Sequence, residues 1–189
     1  MTEETRTQTQ IDAIAESWVD TLAELSPTLG TYIGRTEHAD RFDDFSPEGH
    51  ERFADEARRT LNALDAATPT DSIDEITRTD LSSELRLSLE LHDVHWDLRD
   101  LNVIASPAQG IREIFDLMPR STADDWAVIA RRLRAVKGAD EGYTASLRAG
   151  TSRGLASAVR KVAEVMQQLS RNPYVVATSV ECASGATPE

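Results

Sequence analysis

Residues 80–101 read DLSSELRLSLELHDVHWDLRDL, and this stretch decides the fold class. At about 100° per residue it carries two apolar stripes instead of one. Leu87, Leu91, Val94, Leu98 and Leu101 repeat at four-three-four-three spacing on one face. Leu81, Leu85, Leu89 and Trp96 gather on the other. Between them run two polar strips, Arg86, Glu90, Asp93 and Asp97 on one side and Glu84, Ser88, His95 and Arg99 on the other. A helix apolar on opposite sides has to be covered twice, so the spacing predicts a central helix between layers of other helices.

The flanking segments carry the same period. Ile11, Ile14, Trp18, Leu22 and Leu25 predict a helix over 8–25, which Pro27 ends. Residues 26–30 then read as a turn-rich link and 35–45 as a solvated acidic loop. Asp40, Asp43 and Asp44 lack the glycine and terminal glutamate of a calcium loop. Ser46-Pro47-Glu48 is a helix start, with Phe53, Ala57, Leu61 and Leu64 on its apolar face as far as about Ala67. A short segment at Ile73–Ile76 leads into the central helix. Ser106-Pro107 opens another helix, marked by Ile111, Ile114, Phe115 and Met118 and stopped by Pro119.

Ser121-Thr-Ala-Asp-Asp125 offers a capping box in two registers, Ser121 with Asp124 or Thr122 with Asp125. The helix it opens carries Trp126, Ile129, Leu133, Val136, Tyr143 and Leu147. Gly138 and Gly142 suggest a bend in it, and Gly150 and Gly154 its end. Leu155, Val159, Val162, Met166 and Leu169 predict a last helix closed by Asn172-Pro173. No alternating segment has a partner strand. The fold class is therefore all-α, a multi-helix bundle-like array in one domain over residues 1–172. Residues 173–189 are expected to form an irregular, disordered tail.

Charge and composition narrow the function. Of the 189 residues, the first hundred hold 24 acidic and 9 basic side chains, a net of −15, against −13 for the whole chain. Such a surface repels nucleic acid and anionic lipid, so neither is expected as a partner. No stretch approaches the apolar length of a membrane span, the N-terminus is polar, and a cytoplasmic protein is expected. A single cysteine, Cys182, allows no internal disulfide.

His92 and His95, three residues apart in ELHDVHW, are the first candidates for chemistry. Two imidazoles on one helix can share a metal, but further ligands are required and the HExxH arrangement is absent. Their directions also diverge, so one is read as packed or capping and the other as solvated. His38 and His50 read as surface. Arg131, Arg132, Arg134 and Lys137 form a basic patch suited to pair with the acidic half. Trp18, Trp96 and Trp126 all fall on apolar helix faces and are expected in the core. No nucleophile elbow, phosphate loop or dinucleotide fingerprint occurs. Catalytic, cofactor-binding and metal-binding residues are therefore expected to number none.

Residues 110–162 carry a more specific signal, in Asp116-Leu-Met-Pro119, Asp124-Asp-Trp126, Arg132-Leu133, Gly142-Tyr143, Ser146-Leu-Arg-Ala-Gly150 and Arg160-Lys-Val162. This run resembles the N-terminal part of the bacterial domain of unknown function 885 family. Ser26-Pro-Thr-Leu-Gly30 and the Ser46-Pro47 helix fit the same family's opening. The resemblance implies relatives that look like gluzincin-type zinc metallopeptidases, their zinc ligands and glutamate in a His-Glu motif well toward the C-terminus. The chain is expected to stop short of that region, and the tail after Asn172 is expected to leave the family pattern. The chain is thus expected to be a truncated, non-catalytic helical portion that scaffolds the metal-bearing part, with zinc implied only for longer relatives. Its apolar stripe would then face self-association or a protein partner. The alternative is a standalone helical interaction module. A small metalloenzyme built on His92 and His95 is the third reading.

Overall fold

The structure is a computed structural model, and residues 6–170 are described, so the tail expected at 173–189 lies outside the described residues. Over these residues the chain is all-α. Its helices are α1 (Gln10–Leu25), α2 (Pro27–Tyr32), α3 (Pro47–Ala66), α4 (Ser72–Asp93), α5 (Pro107–Leu117), α6 (Ala123–Ser152) and α7 (Val159–Ser170), with a 3₁₀ turn at Trp96–Leu98 after α4. None of these helices is long and apolar enough to cross a membrane.

Side chains near each start explain the boundaries. Thr9 and Asp12 close a capping box on α1. Ser46 accepts from Gly49 N ahead of Pro47, and Ser106 forms a box with Gln109 ahead of Pro107. Of the two registers open at α6, Thr122 with Asp125 forms. Pro27 does not open a turn-rich link. It occupies the first position of α2, where its missing N–H costs nothing, and Ser26 caps that helix. α6 runs unbroken through Gly138, Gly142 and Gly150, and the reversal comes at Gly154 (φ +78°).

Two cores lie side by side. In one, Ile11, Trp18, Ala57, Leu64 and Leu85 bring α1, α3 and α4 together, with Trp18 edge-on to Phe53 at 5.8 Å. In the other, Ile111, Ile114, Phe115, Met118, Ile129 and Val136 join α5 to α6 under Phe42 and Phe45. A third, smaller cluster of Leu101, Ala108, Tyr143 and Val165 seats α7.

The central helix differs from the expectation. It begins at Ser72, capped by Asp71, so Ile73 and Ile76 belong to it, and it ends at Asp93 instead of Leu101. His95 then adopts the left-handed conformation (φ 57°, ψ 39°) and turns the chain. Leu98 and Leu101 leave the helical stripe and are buried instead. On α4 itself Leu81, Leu85 and Leu89 pack against α1 and α3. The opposite stripe stays open, with Leu87 51 %, Leu91 39 % and Val94 56 % exposed. Trp96 and Trp126 are exposed as well, so only Trp18 joins the core as expected. An apolar face is buried only where a neighbouring element covers it, and Trp96 has only the Arg99 guanidinium 5.1 Å over its ring as a described covering group.

The start of α4 is tied to the chain ahead of α1. Asp74, fully buried, accepts from Thr9 Oγ1 at 2.7 Å and from Thr70 N and Oγ1, each at 2.8 Å. Arg6 Nη2 lies 2.6 Å from its carboxylate. Burial alone would raise the Asp74 pKa, but these donors hold it down at about 2. A carboxylate depressed in the folded state stabilises the protein above its unfolded pKa and loses that effect as pH falls through the folded value. Asp74→Asn should therefore melt about 5 °C below the parent at pH 7, with the gap closing between pH 4 and pH 2 in a series of thermal melts. A constant gap across that range would disprove the assignment.

Candidate functional site

A cluster of carboxylates and imidazoles surrounds a cavity where α3 and the end of α4 meet the 43–45 loop. The cavity, about 290 Å³, is lined by Asp43, Asp44, Phe45, His50, Phe53, Ser88, Leu91, His92 and Asp97, among others. Local sequence sets each wall. The Ser46-Pro47 start brings His50 to the first turn of α3. The left-handed turn at His95 brings Asp97 back toward His92. Gly49 lets the 43–45 loop close over α3, since a Cβ there would stand 2.0 Å from the Asp44 carbonyl oxygen.

His92 links three elements. Its Nε2 is 3.0 Å from Glu51 Oε2 on α3, and its Nδ1 is 3.5 Å from Asp97 Oδ2 on the 3₁₀ turn. His95 points elsewhere, with Arg153 Nη1 donating to its Nε2 at 3.0 Å. The structure therefore does not bring His92 and His95 together. It brings His92 together with His50, which the sequence placed on the surface and which is half-buried in this cavity. Burial lowers the His50 pKa, and His92 pushes the same way against the pull of Asp97 and Asp44. Both effects favour the neutral imidazole. His38 lies apart from this cavity, in a surface hollow beside Asp20, Arg35 and Glu37.

The acidic loop is engaged, not merely solvated. Asp43 accepts from Ser26 Oγ at 2.6 Å and Thr28 N at 2.8 Å, and Asp40 pairs with Arg131 at 3.2 Å. Asp44 accepts from Ser46 N and pairs with Arg52. Burial opposes ionisation of Asp44, yet these donors hold its pKa below the usual value. Three carboxylates and two imidazoles thus face the cavity, with no lysine or arginine among its lining residues. The arrangement can bind and orient a polar group. The Ser26 hydroxyl at its edge donates to Asp43. Among the described residues no group of three or more His, Cys, Asp or Glu side chains is placed to hold a metal ion.

The basic patch on α6 divides. Arg131 meets the acidic half through Asp40, but Arg132 is fully buried. Its Nη1 donates to Thr31 Oγ1 at 2.8 Å and its guanidinium lies 5.0 Å over the Phe42 ring. Nε and Nη2 have no hydrogen-bond partner. Burial lowers the Arg132 pKa to about 10, which leaves it charged at neutral pH.

Several of the residues that carry the resemblance in the 110–162 run are docking residues of α6. Gly142 admits the Ser46 backbone, Tyr143 donates to the Asp100 carbonyl at 2.6 Å, and Ser146 donates to the Phe45 carbonyl at 2.6 Å. Gly150 takes the Leu98 carbonyl. These contacts define an all-α module whose long helix clamps the loop and the 3₁₀ turn that build the cavity. The model of a bacterial family of proteins of unknown function, DUF885, matches residues 27–181, past Asn172 where the sequence was expected to leave the family pattern, and the chain belongs to that family. Comparison with curated proteins finds no match.

Proposed function

We propose that this chain is a non-catalytic helical scaffold. In a metallopeptidase-like member of the family it would form one wall of the substrate cleft and support the metal-bearing helices. The open stripe of α4, Leu87, Leu91 and Val94, is the observation that carries this reading. An apolar face of that length on a helix whose other side is fully packed asks for a covering element. The third reading, a metalloenzyme on His92 and His95, loses its support because the two rings take different partners.

A helical protein-interaction module is the second reading. The two cores favour it, since residues 6–170 bury them without help from another chain. Both readings require the stripe to be adhesive. The isolated chain should bind a hydrophobic dye. The double variant Leu87→Glu/Leu91→Glu should lose most of the dye signal while changing stability by no more than about 1 kcal/mol, since both side chains are already exposed. A parent protein that binds no dye would overturn the scaffold reading.

A further inference from the structure

The α4 stripe and the His50–His92 cavity form one continuous surface, because Leu91 belongs to both. Around the helix Ile73, Ile76, Leu87, Leu91 and Val94 lie within about 60° of one another at 100° per residue, and all are exposed. Exposed acids accompany them. Asp80 lies inside the stripe, and Glu84 and Glu90 run along its two edges. At its C-terminal end the surface opens into the cavity with Asp43, Asp44 and Asp97, walled by Phe45 and Phe53. Asp97 lies 3.5 Å from His92 Nδ1 and also acts electrostatically on His50 and Asp100.

We propose that this surface docks a basic amphipathic helix, whose apolar side lies on the α4 stripe and whose terminal arginine or lysine enters the cavity toward Asp97. The inference deepens the scaffold reading and rests on it, by naming the chemistry of the covering element. Charge complementarity selects the occupant. A cationic side chain with an aliphatic stem matches a pocket of carboxylates between two phenyl rings. A second copy of the chain is disfavoured, since a two-fold pairing through α4 would bring together two copies of the same acid-flanked stripe. The same acids repel an anionic lipid surface.

Three labelled peptides of about 18 residues, long enough for five helical turns, test this against the full chain by fluorescence anisotropy. All carry leucines at helical spacing, with arginine, glutamine or glutamate on the flanks. The arginine peptide should bind at least about tenfold more tightly than the glutamine peptide, lose affinity with rising salt, and leave the glutamate peptide unbound. Asp97→Asn should weaken the arginine peptide about tenfold, the size of one charge-assisted hydrogen bond. Glu84→Gln/Glu90→Gln, on the open helix surface, should weaken it severalfold and flatten the salt dependence. Equal binding of the arginine and glutamine peptides, no effect of either variant, or displacement of the peptide by self-association would overturn the inference. Dye binding by the parent separates the two levels. Dye binding without charge preference removes the basic helix and keeps the scaffold, whereas absence of both removes both.

Discussion

Gly150→Ala is expected to destabilise the protein by about 3 kcal/mol, the upper end of what an overpacked methyl costs. A Cβ at this position would stand 2.0 Å from the Leu98 carbonyl oxygen and 3.2 Å from Leu98 Cβ. The obstacle is backbone, so no side-chain rotation relieves it. Either α6 or the 3₁₀ turn has to move, and the turn carries Asp97 into the cavity. Chemical denaturation should show the loss, and the peptide affinity proposed above should fall with it. Gly138→Ala is the internal control, because a Cβ there meets nothing within 4 Å. It should be neutral or slightly stabilising through better helix propensity. Equal effects at the two glycines would show that the close approach of α6 to Leu98 is wrong.

Phe115→Ala should cost about 4 kcal/mol, and Trp126→Ala should stay within about 0.5 kcal/mol, although tryptophan is the larger side chain. Phe115 is 2 % exposed in the α5–α6 core and stands edge-on to Phe42 at 6.1 Å. Truncating it leaves a cavity beneath the ring that covers Arg132. Trp126 is 55 % exposed in the first turn of α6 and truncation opens nothing. Urea midpoints with unchanged slopes would report the two costs directly. A Trp126→Ala loss comparable to that of Phe115→Ala would mean that an element covers this indole in solution.

The contrast between these residues marks what was legible in the sequence. Helix starts were readable because their chemistry is local. Ser46-Pro47, Ser106-Pro107 and the Thr122–Asp125 box each act within four residues. The buried faces of α3, α5 and the packed side of α4 followed from spacing alone. The end of α4 did not, because the left-handed residue is His95, with neither glycine nor asparagine to announce it. The continuity of α6 was hidden for the opposite reason. Gly142 and Gly150 read as breakers, yet they serve close approaches to segments about a hundred and about fifty residues away.

The candidate site was legible only in part. His92 was singled out, but its partners are Glu51 and Asp97 and not His95. His50 was read as surface because an isolated histidine beside a loop carries no sign of the cavity that forms over it. Asp43 and Asp44 were read as solvated because their donors, Ser26, Thr28, Ser46 and Arg52, become neighbours through the fold of the loop. Arg132 went unnoticed as a core residue since burial of a guanidinium has no local signature. The Gly142-Tyr143 and Ser146-to-Gly150 motifs were visible from the start, though their reason was not.

The contact between Gly150 and Leu98 also bears on the order in which the molecule assembles. It is a lock between backbones, with no soft side chain to accommodate a slipped register. The 3₁₀ turn can seat itself only after α6 is formed over its last turns and α4 has ended at its proper residue. The cavity with its carboxylates is therefore expected to close late in folding. On the reverse path it would be the first part to open. A helix that docks there would slow unfolding more than it speeds folding, acting as a latch on a finished structure.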